Sequence, residues 1–403
     1  MRRIRNILFL SPRQCYPPLS GGKLREFHLA RALGRHAALT HVSFTQAGRP
    51  ALTSAELPFC HRIVPVPSPP LYTAGKIARG LLGRWPLSVV NYTSDEMEAA
   101  IGALLGQEQF DLVHIDSVHM AAYAPFLQRN TRAPVIYDWH NIESEVMRRY
   151  SENAGSPFHR LYASATARRL AAVEKEILRQ AFGHVVCSKR EREQLSGLAP
   201  RARIAVVENG VDAGSFSDSA PPPDRRCRIV FVGSMNGHPN IEGAVWFVRS
   251  VWPGIHARFP SWRLTLVGSD PAPAVLALRD QAGVEVTGTV SDVRPYYQEA
   301  LAAIVPLRTV GGTRLKILEA MAAGVPVVST TFGAEGLSVS PGADILIADQ
   351  DEDWLPRLAE LSHQAELWHR LTAAGRELAR RYDWDTLGES LYDTYCGWLS
   401  ACR

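Results

Sequence analysis

The residue types that could carry chemistry are most concentrated in the segment 306–328. A glycine pair at 311–312 stands where a helix is expected to begin, so backbone N–H groups there can face an anion without obstruction by side chains. Two cations follow, and Glu319 lies one to two turns into the helix, where a carboxylate can accept hydrogen bonds from both hydroxyls of a ribose. The segment therefore predicts a site for a nucleoside diphosphate. Its candidate binding residues are Gly312, Thr313, Arg314, Lys316 and Glu319.

Glycines also follow three predicted strands in the second half of the chain. The strands in FVGSM, TLVGS and VEVTGTV each end in a glycine, at positions 233, 268 and 288. In open parallel sheets ligands bind beyond the carboxyl ends of the strands, and a glycine there lets a phosphate approach the backbone. One such glycine alone would indicate only a tight turn. Together they predict one wall of a nucleotide-binding cleft, with the candidate residues Gly233, Ser234, Gly268 and Val290.

Two polar segments follow predicted strands in the first half. The first strand ends near Ser11, and Gly21 and Gly22 then begin a helix whose N-terminus either binds an anion or is a plain helix start. His140 follows the strand PVIYD, with polar residues beside it. An imidazole at that place could hydrogen-bond a substrate or transfer a proton, although a single histidine is often structural. We therefore take Gly21 and Gly22 as candidate donor contacts and His140 as a candidate catalytic residue.

Short apolar runs alternate with longer stretches of helical period along all 403 residues. Nearly continuous apolar strands separated by helices predict parallel sheets covered on both faces, and a single core seldom exceeds ~250–300 residues. We expect an α/β chain of two Rossmann-like domains whose parallel sheets face each other across a cleft. The Gly-, Ser- and Pro-rich stretch 210–227 indicates a linker, which places the domains at 1–212 and 213–383. The C-terminal helix, 384–403, is expected to pack back on the first domain.

Several functions are disfavoured by motifs that the sequence lacks. No Gly-x-Gly occurs, so the dinucleotide fingerprint is missing and an NAD- or FAD-dependent oxidoreductase is disfavoured. There is no P-loop, HExxH or GxSxG motif. The six cysteines show no metal-ligand spacing, and we expect neither a metal nor another cofactor. No helix-turn-helix, zinc-finger or RNA-binding motif is present, which argues against a nucleic-acid partner.

The two halves of the chain differ in net charge. Residues 1–212 carry 27 Lys and Arg against 18 Asp and Glu, whereas residues 213–403 carry 17 against 22. A basic half can face a phosphorylated substrate or an anionic lipid surface, but basic residues are also common on ordinary surfaces. The basic segment 76–85 is either a surface helix stopped by Pro86 or an amphipathic helix that lies on an anionic membrane. Because no apolar run could span a bilayer, we expect a cytoplasmic protein, with peripheral attachment to the inner membrane as the alternative.

The chain resembles the family 4 glycosyltransferases of the two-Rossmann (GT-B) type. The likeness rests on the block GGTRLKILEAMAAGVPVVSTTFGAEGL, with VENGVD, FVGSM and VTGTVSD upstream in their usual order, and it covers essentially the whole chain. Enzymes of this family move a sugar from a nucleotide donor to an acceptor with retention of anomeric configuration. The sequence is also similar to a sub-group associated with bacterial exopolysaccharide clusters. The resemblance implies that the second domain holds the nucleotide sugar and the first domain holds the acceptor.

Roles for three candidate sites follow from the same resemblance. The loop at Gly21 and Gly22 would reach the donor phosphates. His140 matches the family's active-site histidine at the equivalent strand end. Glu319 matches the glutamate that binds the donor ribose.

Two positions depart from the family pattern. The family commonly has a further glutamate eight residues before Glu319 that contacts the donor sugar, and this position is Gly311 here. Many members also carry an Arg and a Lys after the FVG strand, where this chain has Ser-Met-Asn-Gly-His at 234–238. We therefore expect Arg314 and Lys316 to take over phosphate binding.

These expectations describe a retaining hexosyltransferase that needs no metal, uses a nucleotide sugar with UDP favoured over GDP, and acts on a lipid-linked or polysaccharide precursor. Fixed cations and helix N-termini would stabilise the negative charge on the leaving nucleoside diphosphate. Without a convincing carboxylate nucleophile, retention favours attack on the same face, with the leaving phosphate taking the acceptor's proton and His140 positioning the sugar. Two alternatives stay open: a nucleotide-sugar 2-epimerase of similar architecture, and a nucleotide-binding scaffold with weak or no catalysis.

Overall fold

The computed structural model of the chain describes residues 3–18, 20–45, 48, 50–153, 156–216, 227–308 and 315–401. The chain divides into two compact units. The first comprises residues 1–208 and 387–403, and the second comprises residues 209–386. These divisions lie a few residues from the boundaries at 212 and 383 that the linker composition predicts.

The first unit is built on a seven-stranded sheet with the order β3-β2-β1-β4-β5-β6-β7, in which every neighbouring pair is parallel. Its strands are β1 (Asn6–Ser11), β2 (Ala38–Thr45), β3 (Arg62–Pro67), β4 (Leu112–Asp116), β5 (Val135–Trp139), β6 (Gly183–Val186) and β7 (Ile204–Val206). Its helices are α1 (Gly21–His36), α2 (Ala74–Leu82), α3 (Leu87–Val90), α4 (Asp95–Gln107), α5 (Ala124–Asn130), α6 (Glu143–Asn153), α7 (Pro157–Gln180) and α8 (Lys189–Leu198).

The second unit is built on a six-stranded parallel sheet with the order β10-β9-β8-β11-β12-β13. Its strands are β8 (Arg228–Val232), β9 (Arg263–Val267), β10 (Val284–Gly288), β11 (Ala300–Val305), β12 (Val327–Ser329) and β13 (Leu346–Ile347). Its helices are α9 (His238–Trp246), α10 (Trp252–Arg258), α11 (Pro273–Leu276), α12 (Arg294–Gln298), α13 (Leu315–Ala322), α14 (Thr331–Ala334), α15 (Trp354–His363) and α16 (Ala365–Arg381).

The central strands of both sheets are buried on both faces, which explains their nearly continuous apolar sequences. All six residues of β11 are buried, and so are five of the six residues of β1. Helices on the two faces exclude water from these strands. The prediction of two Rossmann-like units with parallel sheets is confirmed.

The last helix, α17 (Trp384–Ser400), contributes its residues from 387 onward to the first unit. Gly388 lets it approach α1 closely, since a Cβ at that position would lie 2.2 Å from the Cβ of Ala32. Further along, the hydroxyl of Tyr395 lies 2.8 Å from Nδ1 of His114 on β4, and both residues are buried. These contacts hold α17 against the first unit. None of the described helices is both long and apolar enough to cross a membrane.

Candidate active site

In the second unit, the ends of β8 and β9 approach each other unusually closely. A Cβ on Gly268 would lie 1.6 Å from the carbonyl oxygen of Gly233, a distance that no side chain can occupy. Gly233 and Gly268 follow β8 and β9, and Gly288 ends β10; the three strands are neighbours in the sheet, as the sequence predicts. The glycines leave backbone rather than side chains at these strand ends, and at Gly268 the close approach permits no other residue.

Lys316, in the first described turn of α13, reaches this backbone. Its Nζ donates to Oδ1 of Asn240 on α9 at 2.5 Å and lies 4.7 Å from the centroid of the Phe231 ring. Nζ is also 2.8 Å from the position that a Cβ on Gly233 would take. The side chain of Asn240 in turn donates to the carbonyl oxygen of Ser234 at 2.8 Å. A positive charge is therefore held directly beside the glycine ends of the strands.

Glu319 lies one turn further along α13, on the same side as Lys316. The hydroxyl of Tyr297 lies 3.3 Å from Oε2 of Glu319 and can donate to it. Burial raises the pKa of Glu319, and the Tyr297 hydrogen bond and the charge of Lys316 act against that rise. The opposite face of α13 carries Leu318 and Met321 into the core. The helix thus presents one cation and one carboxylate away from the core.

The structure describes only some of the remaining candidate donor contacts of the second unit. Ser234 hydrogen-bonds Asn236 through its Oγ at 2.8 Å, and Val290 follows β10 in a loop. The candidates Gly312, Thr313 and Arg314, and the departure at Gly311, lie outside the described residues.

In the first unit, the strand ends carry a buried ion pair. The guanidinium of Arg25 on α1 donates to both carboxylate oxygens of Asp138, Nε at 2.7 Å and Nη2 at 2.6 Å. Its Nη1 donates to the carbonyl oxygen of Val207 at 2.8 Å. Burial opposes ionisation of Asp138, yet the charge and hydrogen bonds of Arg25 hold the pKa of this carboxyl below its usual value. Arg25 thereby fixes the start of α1 against the ends of β5 and β7.

His140 follows β5 and contacts the end of the neighbouring strand β4. Its Nε2 lies 2.7 Å from Oδ1 of Asp116 and 4.0 Å from Oδ2 of Asp138. Its Nδ1 lies 3.2 Å from the position of a Cβ on Gly22. The side chain keeps 12% of its exposure, and its burial lowers the pKa of the imidazole, so His140 is neutral at neutral pH. The structure therefore brings together His140 and the helix start at Gly21 and Gly22.

A second acidic residue lies beside Asp116. Glu26 on α1 is fully buried; Nη2 of Arg13 lies 2.5 Å from its Oε1, and Ser11 donates to its Oε2 at 3.1 Å. Burial, together with the repulsion between the two carboxylates, raises the pKa of Glu26 to about 8. Burial and repulsion from Asp138 raise the pKa of Asp116 to about 8. Two carboxyls this close titrate as a pair, and their raised pKa values mean that the pair keeps a proton at neutral pH.

The described residues include two groups that are close enough to hold a metal ion. One is formed by Glu26, Asp116 and His140, and the other by His114, Asp116 and Asp138. In the first group the Glu26 carboxyl already faces Arg13, and Nε2 of His140 already faces Asp116. In the second group Asp138 faces Arg25. Because the guanidinium groups of Arg13 and Arg25 already bring positive charge to these carboxylates, the geometry fits a hydrogen-bonded cluster better than a metal site.

Sequence reasoning missed the charged cluster around His140. Arg13, Arg25, Glu26 and Asp116 were not among the candidates. Arg25 and Glu26 stand next to each other on α1, one turn before the buried Leu29 and Ala30, and Asp116 ends a buried strand. The available signal for this cluster was the presence of ionisable residues at positions that periodicity assigns to the core. Such residues are buried only when they have partners, so they indicate a buried charged cluster.

Two family models match the chain. A model described as "Glycosyl transferase 4-like domain" matches residues 20–210, and one described as "Glycosyl transferases group 1" matches residues 226–363. The two matches cover most of the chain and meet at the stretch that the sequence indicates as a linker.

Curated relatives match at lower identity. A phosphatidyl-myo-inositol mannosyltransferase from Mycobacterium leprae is 25% identical over 307 residues, 71% of this chain and 73% of the relative. An uncharacterized 44.6 kDa protein from the cps region of Klebsiella pneumoniae is 27% identical over 133 residues, 31% of this chain and 34% of the relative. The chain thus spans about a third of the length of the Klebsiella relative, and it spans 58% of the length of a glycogen synthase from Mycobacterium tuberculosis that is 24% identical.

Solved structures share the fold across the whole chain. Sucrose-phosphate synthase from Thermosynechococcus elongatus has a TM-score of 0.76 at 19% identity, covering 98% of this chain and all of that one. Anabaena HepE, solved in complex with UDP and glucose, has a TM-score of 0.65 at 15% identity, with 97% and 99% covered. At such identities the likeness concerns the fold. The two family models and this shared architecture show that the chain belongs to the family 4 glycosyltransferases of GT-B type.

Proposed function

We propose that the protein transfers a sugar from a nucleoside diphosphate to an acceptor, with retention of anomeric configuration. The observation that carries this proposal is the position of Lys316 Nζ, beside the side-chain-free ends of β8 and β9. Glu319 lies one turn away on the same side of α13, at a spacing suited to a ribose next to a diphosphate. Together these groups offer a cation, open backbone and a carboxylate to one nucleotide.

The charges of this site suit the chemistry of sugar transfer. When the bond from the anomeric carbon to the diphosphate breaks, the leaving group gains negative charge. A fixed cation that meets this charge stabilises the transition state more than the ground state, and one such donor contributes about 2.7–4 kcal/mol. Lys316 is the described residue placed to do this, and the protein's own side chains can therefore supply the stabilisation that a metal gives in other transferases.

A uridine diphosphate sugar is the donor that we propose. HepE shares this fold and was solved with UDP and glucose, which supports a UDP-linked hexose here. The proposal places the ribose hydroxyls on Glu319. Oε2 of Glu319 already accepts a hydrogen bond from the hydroxyl of Tyr297, which fixes the orientation of the carboxylate.

The acceptor is proposed to be lipid-linked and reached at an anionic membrane surface. A phosphatidyl-myo-inositol mannosyltransferase among the relatives is named for a lipid acceptor, which supports this class. We propose that four exposed apolar side chains of the first unit, Leu81 and Leu82 on α2 and Phe158 and Leu161 on α7, form the surface that meets the membrane. Basic residues stand within both segments, including Arg79 and Arg160, and both are exposed. Apolar side chains among basic ones suit the interface of an anionic bilayer.

The structure changes one detail of the amphipathic segment predicted at 76–85. Helix α2 ends at Leu82, where Gly83 follows, and Arg169 of α7 donates to the carbonyl oxygens of Gly80 and Gly83. Lys76 is buried, with its Nζ donating to the carbonyl oxygen of Asn91 at 2.8 Å. Lys76 is therefore unavailable to lipid, and we propose that the exposed Arg79 is the basic residue of α2 that meets the membrane.

The donor proposal is tested with a panel of nucleotide sugars in a thermal-shift screen, followed by donor hydrolysis and transfer. We expect a UDP-linked hexose to raise the melting temperature most, and NMR of the product to show the donor's anomeric configuration. Binding without hydrolysis or transfer would indicate a scaffold. Conversion of UDP-GlcNAc alone into its 2-epimer would indicate an epimerase, and either result would contradict the proposal.

The acceptor proposal is tested by co-sedimentation with vesicles that contain anionic lipid. We expect binding that weakens as salt rises and that falls in the double variant Leu82→Ser, Phe158→Ser. The matched control replaces exposed Leu198 on α8 with Ser, which should leave binding unchanged. Binding that ignores both salt and the double substitution would contradict the proposed surface.

A further inference from the structure

We propose that Asp116 is a positioning residue that holds His140 in the tautomer with hydrogen on Nε2, so that Nδ1 is offered to the ligand as a hydrogen-bond acceptor. The role of His140 at the ligand rests on the proposed function, but the tautomer does not. The tautomer is a property of the protein alone and can be measured without substrate.

The geometry of two neighbouring strands sets up this contact. Asp116 ends β4, and the register pairs it with Asp138 on β5, two residues before His140. The chain turns after β5 so that Nε2 of His140 lies 2.7 Å from Oδ1 of Asp116. Asp116 has no solvent-exposed surface, so water does not compete for this hydrogen bond.

The other acidic groups near His140 are committed elsewhere. Asp138 is 4.0 Å from Nε2, and both of its oxygens accept hydrogen bonds from Arg25. Glu26 pairs with Arg13 and accepts from Ser11. Asp116 is therefore the acceptor that sets the orientation of the ring.

The carboxyl pair of Glu26 and Asp116 decides which nitrogen carries the hydrogen. Because the pKa values of both carboxyls are raised, the pair keeps a proton at neutral pH. The hydrogen bond between the two carboxyls raises the pKa of Glu26 and lowers that of Asp116, which favours the proton on Glu26. A carboxylate can accept Nε2–H only if it is ionised. If Glu26 carries that proton, Asp116 stays ionised and fixes the Nε2–H tautomer. If Asp116 carried it, its hydroxyl would donate to Nε2 and the hydrogen of the ring would move to Nδ1.

The chemical consequence lies at Nδ1. This nitrogen lies on the side of Gly22, 3.2 Å from the position of a Cβ there. With the hydrogen on Nε2, Nδ1 carries a lone pair and accepts a hydrogen bond from a sugar hydroxyl. With the other tautomer, the same atom would donate and would favour a phosphate or carboxylate oxygen instead. Asp116 thus selects the kind of group that His140 can bind.

The experiment is NMR of the full chain with ¹⁵N-labelled histidine, using long-range proton–nitrogen correlations. His140→Gln identifies the resonances of His140. We expect a pyrrole-type signal for Nε2 and a pyridine-type signal for Nδ1 in the wild type. The variant Asp116→Asn should lower the Nε2–H population, because a neutral amide accepts weakly and can also donate.

His184 on β6 serves as the internal control, because Nε1 of Trp139 donates to its Nδ1 at 3.2 Å and it does not contact Asp116, so its signals should not change in Asp116→Asn. A pyrrole-type Nδ1 of His140 in the wild type would overturn the proposal, and so would an unchanged tautomer in a folded Asp116→Asn. If that variant does not fold, the wild-type spectrum alone decides. A failure to bind nucleotide sugars would leave this result intact, so the two proposals fail separately.

Discussion

Nζ of Lys316 lies 2.8 Å from the point where a Cβ on Gly233 would stand, so the glycine and the cation occupy adjoining space. This proximity explains why a glycine stands at position 233 and why the side chain of Lys316 can lie beside it. The missing side chain at 233 leaves room for the ammonium group, and the ammonium group places charge beside open backbone. A diphosphate bound there would meet N–H groups and a cation together.

Replacing Lys316 with Ala should weaken binding of UDP. A hydrogen bond to a charged group contributes about 1.5–3 kcal/mol, so we expect the Kd to rise roughly 10- to 100-fold. Isothermal titration calorimetry measures this directly. Lys175→Ala on the exposed face of α7 is the matched control and should leave the Kd unchanged.

Gly233→Ala tests the same space from the other side. Its Cβ would press on Nζ of Lys316 and, at 3.0 Å, on Nδ2 of Asn240, both of which end flexible side chains. We expect the protein to fold normally and the affinity for UDP to fall, because the cation moves. Unchanged affinity in a folded variant would place the diphosphate elsewhere.

Gly268→Ala should instead destabilise the second unit. Its Cβ would lie 1.6 Å from the backbone oxygen of Gly233, and backbone cannot move aside as a side chain can. Overpacking of this kind costs about 1–3 kcal/mol or more. Urea unfolding measures the loss. Gly237→Ala is the control, because its closest new contact would be 3.4 Å and its stability should be near that of the wild type.

Arg25→Ala should be strongly destabilising. Removing one partner of a buried pair leaves Asp138 charged and uncompensated, which costs about 3–5 kcal/mol. Arg25→Lys should recover only part of this stability, because an ammonium cannot reproduce the two parallel hydrogen bonds. Arg148→Ala breaks an exposed pair with Glu152 and should cost well under about 1 kcal/mol. Equal losses in urea unfolding for Arg25→Ala and Arg148→Ala would contradict the buried pair.

Glu26→Gln should change how stability depends on pH. Burial raises the pKa of the Glu26 and Asp116 carboxyls to about 8, so the folded protein keeps a proton that the unfolded chain has lost above its own carboxyl pKa. The contribution of this pair to the free energy of unfolding is therefore fully present in acid and is lost as pH rises toward 8.

The difference in unfolding free energy between the wild type and Glu26→Gln isolates this effect between pH 6.5 and 8. Histidines that do not contact the carboxyl pair contribute equally to the unfolding free energy of both proteins. Unfolding free energy of the wild type should fall across this range more steeply than that of the variant, by at most about 1.4 kcal/mol per pH unit for one proton. Parallel curves would show that the pair does not hold a proton.

The sequence predicted the features that depend on local pattern. Continuous apolar runs identified the strands, and glycines at their ends identified the edge of the second sheet. The spacing of Leu318 and Met321 identified the buried face of α13 and left Lys316 and Glu319 on its other side. Each of these follows from residues close together in the chain.

The charged cluster of the first unit could not be predicted in the same way. Arg25 and Asp138 are 113 positions apart, and their contact exists only because α1 packs over the ends of distant strands. Lys76 shows the same limit, since its pattern indicates a solvent-facing cation and the fold buries it against Asn91. Tertiary packing decides which of these charged residues are buried, and sequence periodicity does not reveal that packing.

The central claim is that a nucleotide sugar binds at the ends of β8 and β9. A crystal structure of the protein with UDP tests it most directly. We expect the diphosphate to lie beside Gly233 and Nζ of Lys316, with the ribose hydroxyls hydrogen-bonded to the Glu319 carboxylate. A diphosphate bound at any other place, or a ribose that does not contact Glu319, would contradict it.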